Sequence, residues 1–193
     1  MRPGRNRGTR VGVIPLGEET RLAAKVIAAH IEGFMHLESR VLDPLPRPDF
    51  ALDPQRLQYD AGRIIEYLEA RPPGACEKVV GVTAVDLFVP VFSHVFGEAR
   101  LAGRAALVSL HRLGQPEEGQ RPPPARVLER AAKVALHELG HLFSLTHCSD
   151  PGCLMHFSGD VAGVDATALL FCRYCREFLA SDGCGQRAEA GWV

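Results

Sequence analysis

His137-Glu138-Leu139-Gly140-His141-Leu142-Phe143-Ser144-Leu145-Thr146-His147-Cys148 ends a long segment that Pro124 opens and that Val127, Leu128, Ala131, Val134 and Ala135 make amphipathic. Proline suits the first turn of a helix, so a helix runs from Pro124 into the histidines. His137 and His141 are four residues apart. On a helix they lie on one face, one turn above the other, where both imidazoles reach a single metal ion. Glu138 stands close to that face without being a ligand, the place for a water-activating base. A polar stripe on an ordinary surface helix is the bland alternative, and the third histidine, His147, argues against it.

His147 forces a break in that helix. An unbroken helix would carry it about 9 Å along the axis beyond His141. Two nitrogens on one zinc ion stand no more than about 4 Å apart. The chain must therefore turn back between them. In the extended pattern H-E-x-x-H-x-x-G-x-x-H a glycine supplies the positive φ of that turn, and here Ser144 takes its place. Left-handed backbone costs an ordinary residue about 1–2 kcal/mol, which metal binding on the order of 10 kcal/mol offsets. The other outcome is a two-histidine site with low zinc occupancy.

Working outward, residues 11–16 read as a buried strand. A helix follows from Glu18 with Leu22, Val26, Ile27 and Ile31 at helical spacing. Residues 37–45 are extended and interrupted by Pro44. A second helix is marked by Leu57, Ala61, Ile64, Ile65 and Leu68 and stopped by Pro72-Pro73-Gly74, and residues 78–85 form a third strand. This β-α-β-α-β order predicts an α/β fold: a mixed, mostly parallel sheet of about five strands with flanking helices. Residues 92–99 and 105–110 supply two further strands, one of them antiparallel at the sheet edge. Residues 114–124 are a polar loop. Asp165 is expected to cap a final helix containing Leu169, Leu170 and Phe178.

Of six cysteines, four fall as Cys148-x4-Cys153 and Cys172-x2-Cys175. In a reducing compartment such knuckles read as metal ligands. Four thiolates satisfy zinc's tetrahedral preference and leave no open position, which makes the site structural. Two disulfides or free thiols are the other reading. Cys76 and Cys184 read as buried or incidental thiols. The 193 residues carry a formal net charge of −1, which gives no bulk electrostatic case for nucleic acid or a membrane surface. Residues 1–10, with four arginines, read as a solvated tail. Residues 11–16 are too short for a signal-peptide core, and no apolar run approaches the roughly 20 residues of a membrane span. The expectation is a cytoplasmic protein without nucleic-acid or membrane partners.

HELGHLFSLTHC, then Cys153-Leu154-Met155, then Cys172-Arg173-Tyr174-Cys175 resembles the archaemetzincins, a family within the metzincin clan of zinc peptidases. The stretch FSHVFGEA at 92–99 is similar to the family's edge-strand segment. The resemblance implies two Zn2+ ions per chain. His137, His141 and His147 would hold a catalytic one, and Cys148, Cys153, Cys172 and Cys175 a structural one. Glu138 would be general base and acid in hydrolysis of peptide bonds by metal-activated water. Met155 would lie in a turn beneath the catalytic metal, its bland alternative being a gap-filler in a small core. Phe157 stands where some clan members carry a tyrosine. The fold implied is one compact metzincin-like domain over 1–193. Residues 1–147 would give the sheet and active-site helix, and 148–193 the cysteine loop and a C-terminal helix. The expected partner is a peptide or protein substrate, with the chain a monomer. Amino- and endopeptidase readings stay open. So does a zinc-binding protein that has lost catalysis because Ser144 spoils the third ligand. An interaction module docking through its cysteine knuckle is the last alternative.

Overall fold

The computed structural model describes residues 9–71, 74–116 and 119–181. Cys184, the helix-stopping Pro72-Pro73 and the arginine-rich tail before residue 9 lie outside them. In chain order the elements are β1 (Arg10–Leu16), α1 (Arg21–His30), β2 (Glu38–Val41), β3 (Leu52–Asp53), β4 (Gln58–Asp60), α2 (Ala61–Glu69) and β5 (Lys78–Thr83). Then follow β6 (Leu87–Val89), β7 (Phe92–Val95), β8 (Gly97–Ala99), β9 (Ala105–Ser109), α3 (Pro124–Leu142), α4 (Val161–Ala166) and α5 (Arg173–Ser181).

The main sheet has the order β2-β1-β5-β9-β8. The β1–β2, β1–β5 and β5–β9 pairs are parallel, and the edge strand β8 runs antiparallel to β9. Central parallel strands are covered on both faces, so they read as nearly continuous apolar runs. Alternate residues serve opposite cores. Val11, Val13, Val80, Val82, Ala106 and Val108 meet α1 and α3. Ile14, Leu16, Val79, Ala105 and Leu107 meet α2 through Ile64, Ile65 and Leu68.

A second sheet, β3-β4-β6-β7, lies on the α2 side and was not expected. It corrects the reading of 92–99 as one strand. That segment changes sheets at Phe96: Phe92 and Val95 pair with β6, whereas Gly97–Ala99 pair with β9. The β6–β7 hairpin projects Val91, which is 82% exposed, at its tip.

The expected cap at Asp165 is also overturned. Asp160 caps α4 by accepting from Gly163 N (2.7 Å), Asp165 lies inside α4, and the final helix begins only at Arg173. Leu170 lies between the helices, its carbonyl accepting from Leu154 N (2.8 Å). Asp165 instead takes a two-pronged ion pair from the buried Arg130 of α3 (2.8 and 2.6 Å) and a further bond from Arg126 (3.0 Å). Arg130 also donates to the Leu113 carbonyl (2.9 Å). Removing one partner of such a pair leaves a charge buried without its counterion. Asp165→Ala should lower unfolding free energy by about 3 kcal/mol in urea titration, and a loss below about 1 kcal/mol would show the pair to be dispensable.

Candidate active site

Helix α3 carries the first two histidines to its C-terminal end and stops there. Ser144 adopts φ +67°, the left-handed conformation the spacing demanded. Its N–H donates to the His141 carbonyl (3.0 Å) and that of Leu145 reaches back to Gly140 (3.1 Å), the paired bonds of a Schellman motif. Lys78 Nζ donates to the Leu142 carbonyl (2.9 Å) and Ala102 N to that of His141 (2.9 Å), so the last carbonyls of α3 are satisfied from the sheet side. Ser144→Gly removes left-handed strain but loosens the unfolded chain. The net gain should be about 0.5–1 kcal/mol, seen as a Tm rise of a few degrees. A lower Tm would mean that the hydroxyl itself holds the turn.

Past this turn His147 swings back. One ring nitrogen from each of His137, His141 and His147 falls within 4.8 Å of the others. His137 donates from Nδ1 to the Leu154 carbonyl and His141 from Nδ1 to the Leu145 carbonyl, both at 2.7 Å. These bonds place the ring protons on Nδ1, leaving both Nε2 atoms as lone-pair donors only 3.2 Å apart. Two such nitrogens repel unless a cation lies between them. Nitrogens bound tetrahedrally to one zinc ion stand about 3.3 Å apart, so the donor set fits the metal. Burial holds all three imidazoles below the usual histidine pKa, His137 to about 4, and keeps them neutral as ligands must be.

Glu138 is buried beside them, against Gly97 of the edge strand. A Cβ on Gly97 would come within 2.7 Å of the Glu138 side chain, so only glycine lets strand and helix approach so closely here. Burial, with a smaller contribution from Glu98, raises the Glu138 pKa well above the ordinary carboxylate value. Met155 packs against Gly140 of α3, where a Cβ would stand 2.5 Å from its Sδ. It is fully buried in the core that also holds α3.

The four cysteines also converge, with all four sulfurs within 4.8 Å of one another. Cys148–Cys172 and Cys153–Cys175 are separated by 3.8 and 3.7 Å. A disulfide needs about 2.05 Å, whereas sulfurs held tetrahedrally by one zinc ion stand about 3.8 Å apart. The thiols are free, and Cys153 Sγ accepts from Met155 N (3.4 Å) and Cys172 N (3.3 Å). Burial pushes the Cys153 and Cys175 thiols up, so a nearby cation is what would keep those two sulfurs deprotonated. Cys76 is buried apart from them.

A cleft of about 660 Å³ opens over the histidines. Its sheet-side wall is β7 and β8. Its opposite wall is the segment from Leu154 to Gly159 with Val164 and Thr167. Phe157 packs on His147 (ring centroids 5.2 Å) and on Phe92 (6.2 Å), both phenylalanines about half exposed at the cleft. The structure thus brings together every residue singled out for the two metal groups. It adds Lys133, which sequence reasoning missed, and gives individual places in the cleft to Phe92 and Glu98 of the edge-strand segment. Lys133 carried no signal beyond its spacing from His137.

A model of Peptidase family M54 matches residues 54–181. An archaemetzincin from Methanopyrus kandleri is 41% identical over 132 residues, covering 68% of this chain and 71% of that protein. One from Haloquadratum walsbyi is 33% identical over 172 residues, covering 88% and 98%. The crystal structure of archaemetzincin from Methanopyrus kandleri superposes with a TM-score of 0.81 at 32% identity, covering 93% of this chain and 97% of that one. The left-handed Ser144, the two converging donor sets and these likenesses agree, and the chain belongs to peptidase family M54, the archaemetzincins, as a zinc metallopeptidase.

Proposed function

We propose that the protein hydrolyses peptide bonds in the cleft over His137, His141 and His147, with these three imidazoles as ligands of a catalytic zinc ion. The observation that carries this is the pair of Nε2 lone pairs facing each other at 3.2 Å, with both Nδ1 protons committed elsewhere. Cys148, Cys153, Cys172 and Cys175 would hold a second, structural ion. When bound, the catalytic ion supplies Lewis-acid polarisation of the scissile carbonyl and acidifies water for attack. Glu138 would take a proton from the attacking water and deliver it to the leaving amine. Burial raises its pKa above the ordinary carboxylate value, the direction that favours returning the proton to the leaving amine. The two carbonyl bonds from Nδ1 hold the ligand rings in orientation. Strand β8, paired on one side only among the described residues, offers its other edge to the backbone of an extended peptide, which aligns the substrate without reading its sequence. Phe157 brings no hydroxyl, so no phenol assists from that position.

One chain completes both metal groups, so a monomer suffices, with residues 1–193 acting as one catalytic unit. Free thiols at the cysteine group suit a reducing, cytoplasmic setting. The left-handed Ser144 supports the peptidase reading over that of a zinc-binding protein that has lost catalysis.

The test is metal content together with cleavage. Purified protein should carry zinc at both residue groups, lose one ion in His141→Ala, and cleave members of a random-sequence fluorogenic peptide library. A chelator should stop cleavage and added zinc should restore it. Zinc-replete protein that leaves the whole library intact would overturn the proposal.

A further inference from the structure

We propose that Lys133 makes the inner end of the cleft a carboxylate-binding pocket, so that the enzyme prefers peptides with a carboxylate close to the bond it cleaves. This rests on the peptidase reading of the cleft and names its substrate class. Lys133 precedes His137 by four residues, so it projects from the same face of α3 about 6 Å back along the axis. Its side chain is buried, yet it lines the same cavity as His137 and Glu138. That distance is within reach of a side chain, or of a chain end, next to the reacting carbonyl.

Among the described residues the ammonium has one ion-pair partner, and that partner is half exposed. The ammonium donates to the Val164 carbonyl (3.2 Å) and the Asp165 carbonyl (3.3 Å), both neutral, and pairs with Glu129 (3.3 Å), whose side chain is 52% exposed. The Asp165 carboxylate is already taken by Arg130 and Arg126. Among the described residues, Arg126 and Arg130 both hold the Asp165 carboxylate, while Lys133 pairs with Glu129. Tethering α4 does not require Lys133, because the two-pronged Arg130–Asp165 pair does that at shorter distances. Of the cleft's own carboxylates, Glu98 is on β8 and Glu138 is on α3 packed against Gly97, whereas the ion pair of Lys133 is with Glu129.

The surrounding wall suits an anionic guest with an apolar stem. Val134, Leu154 and Val164 line it, together with the hydroxyls of Ser158 and Thr167. Thr167 Oγ1 donates to the Gly163 carbonyl (2.9 Å), which leaves Ser158 as donor in their long 3.4 Å contact. A ligand oxygen at normal distance would draw the Ser158 hydroxyl away from that weak bond. An ion pair in a partly desolvated pocket is strong enough to select between glutamate and glutamine. The carboxylate could be an Asp or Glu side chain or the free C-terminus of a short peptide.

Equilibrium binding separates these sources and does not depend on turnover. Zinc-loaded Glu138→Gln protein is titrated, by fluorescence polarisation, with alanine-based peptides in which Glu or Gln is scanned through every position. Each peptide is made with a free-acid and an amidated C-terminus. At one position, or for the free-acid series if the terminus is the guest, the carboxylate peptide should bind about tenfold more tightly than its neutral match. Adding Lys133→Met should bring the pair within twofold. Glu and Gln peptides within twofold at all positions and with both ends would overturn the proposal, and that comparison needs no Lys133 variant to fold. A preference surviving in Lys133→Met would also overturn it. The same peptides are offered to native enzyme. Retained carboxylate preference in binding without cleavage of any peptide sinks the peptidase reading and leaves Lys133 standing. Cleavage without that preference sinks Lys133 alone.

Discussion

Glu138→Gln should lower the rate of peptide cleavage by at least about a hundredfold, and by as much as about ten thousandfold, while both metal sites stay filled. Glutamine keeps the volume and the close fit against Gly97, where a Cβ would already stand 2.7 Å from this side chain. What it removes is the ability to take and return a proton. The loss should fall on kcat, since the group acts in the transition state and not in holding the peptide. Zinc content by mass spectrometry and thermal melting should match the native protein. A variant that cleaves at the native rate would show that the proton travels through another group. The second carboxylate in the cleft, Glu98, would then be the first to examine.

Cys153→Ser should unfold the segment from Cys148 to Ser181. Cys153 is fully buried and accepts two backbone N–H bonds, from Met155 and Cys172, so its sulfur organises the loop even before a metal is counted. Structural zinc sites contribute about 10 kcal/mol or more to folding, and losing one thiolate forfeits much of it. A destabilisation of at least about 5 kcal/mol follows, a drop in Tm of roughly 10–20 °C at this chain length. Because Cys148 directly follows His147, the catalytic group should fall in affinity as well, so both ions leave together on mild chelation. A Tm within a few degrees of native would mean that the loop folds without its metal.

Much of this was legible in the residues because the strongest signals are local. The strands at 11–16 and 78–85 are continuous apolar runs, as buried parallel strands must be, and His147 could reach the other histidines only through a left-handed residue at the glycine position. The second sheet was not legible: β3, β4, β6 and β7 are two to four residues long, too short for alternation to register. The break at Phe96 was hidden for the same reason. Asp165 misled because an acidic residue before Leu169 and Leu170 looks like a helix start. The chain cannot continue as a helix there, since Leu170 must pair with Leu154 and Cys172 must reach Cys148. Tertiary demand overrides propensity at that point. Lys133 was invisible as a cleft residue until Val164 and Asp165 were folded over it.

Phe96 joins two strands that belong to different sheets, and this divides the labour of the upper rim. Gly97–Ala99 are anchored to Ala106–Val108, whereas Phe92 and Val95 pair with β6 in the other sheet. Swapping the Pro90-Val91 tip for longer or bulkier loops should therefore retune which molecules gain entry, leaving the metal-facing strand in register. That tip is the natural handle for engineering altered selectivity into this scaffold.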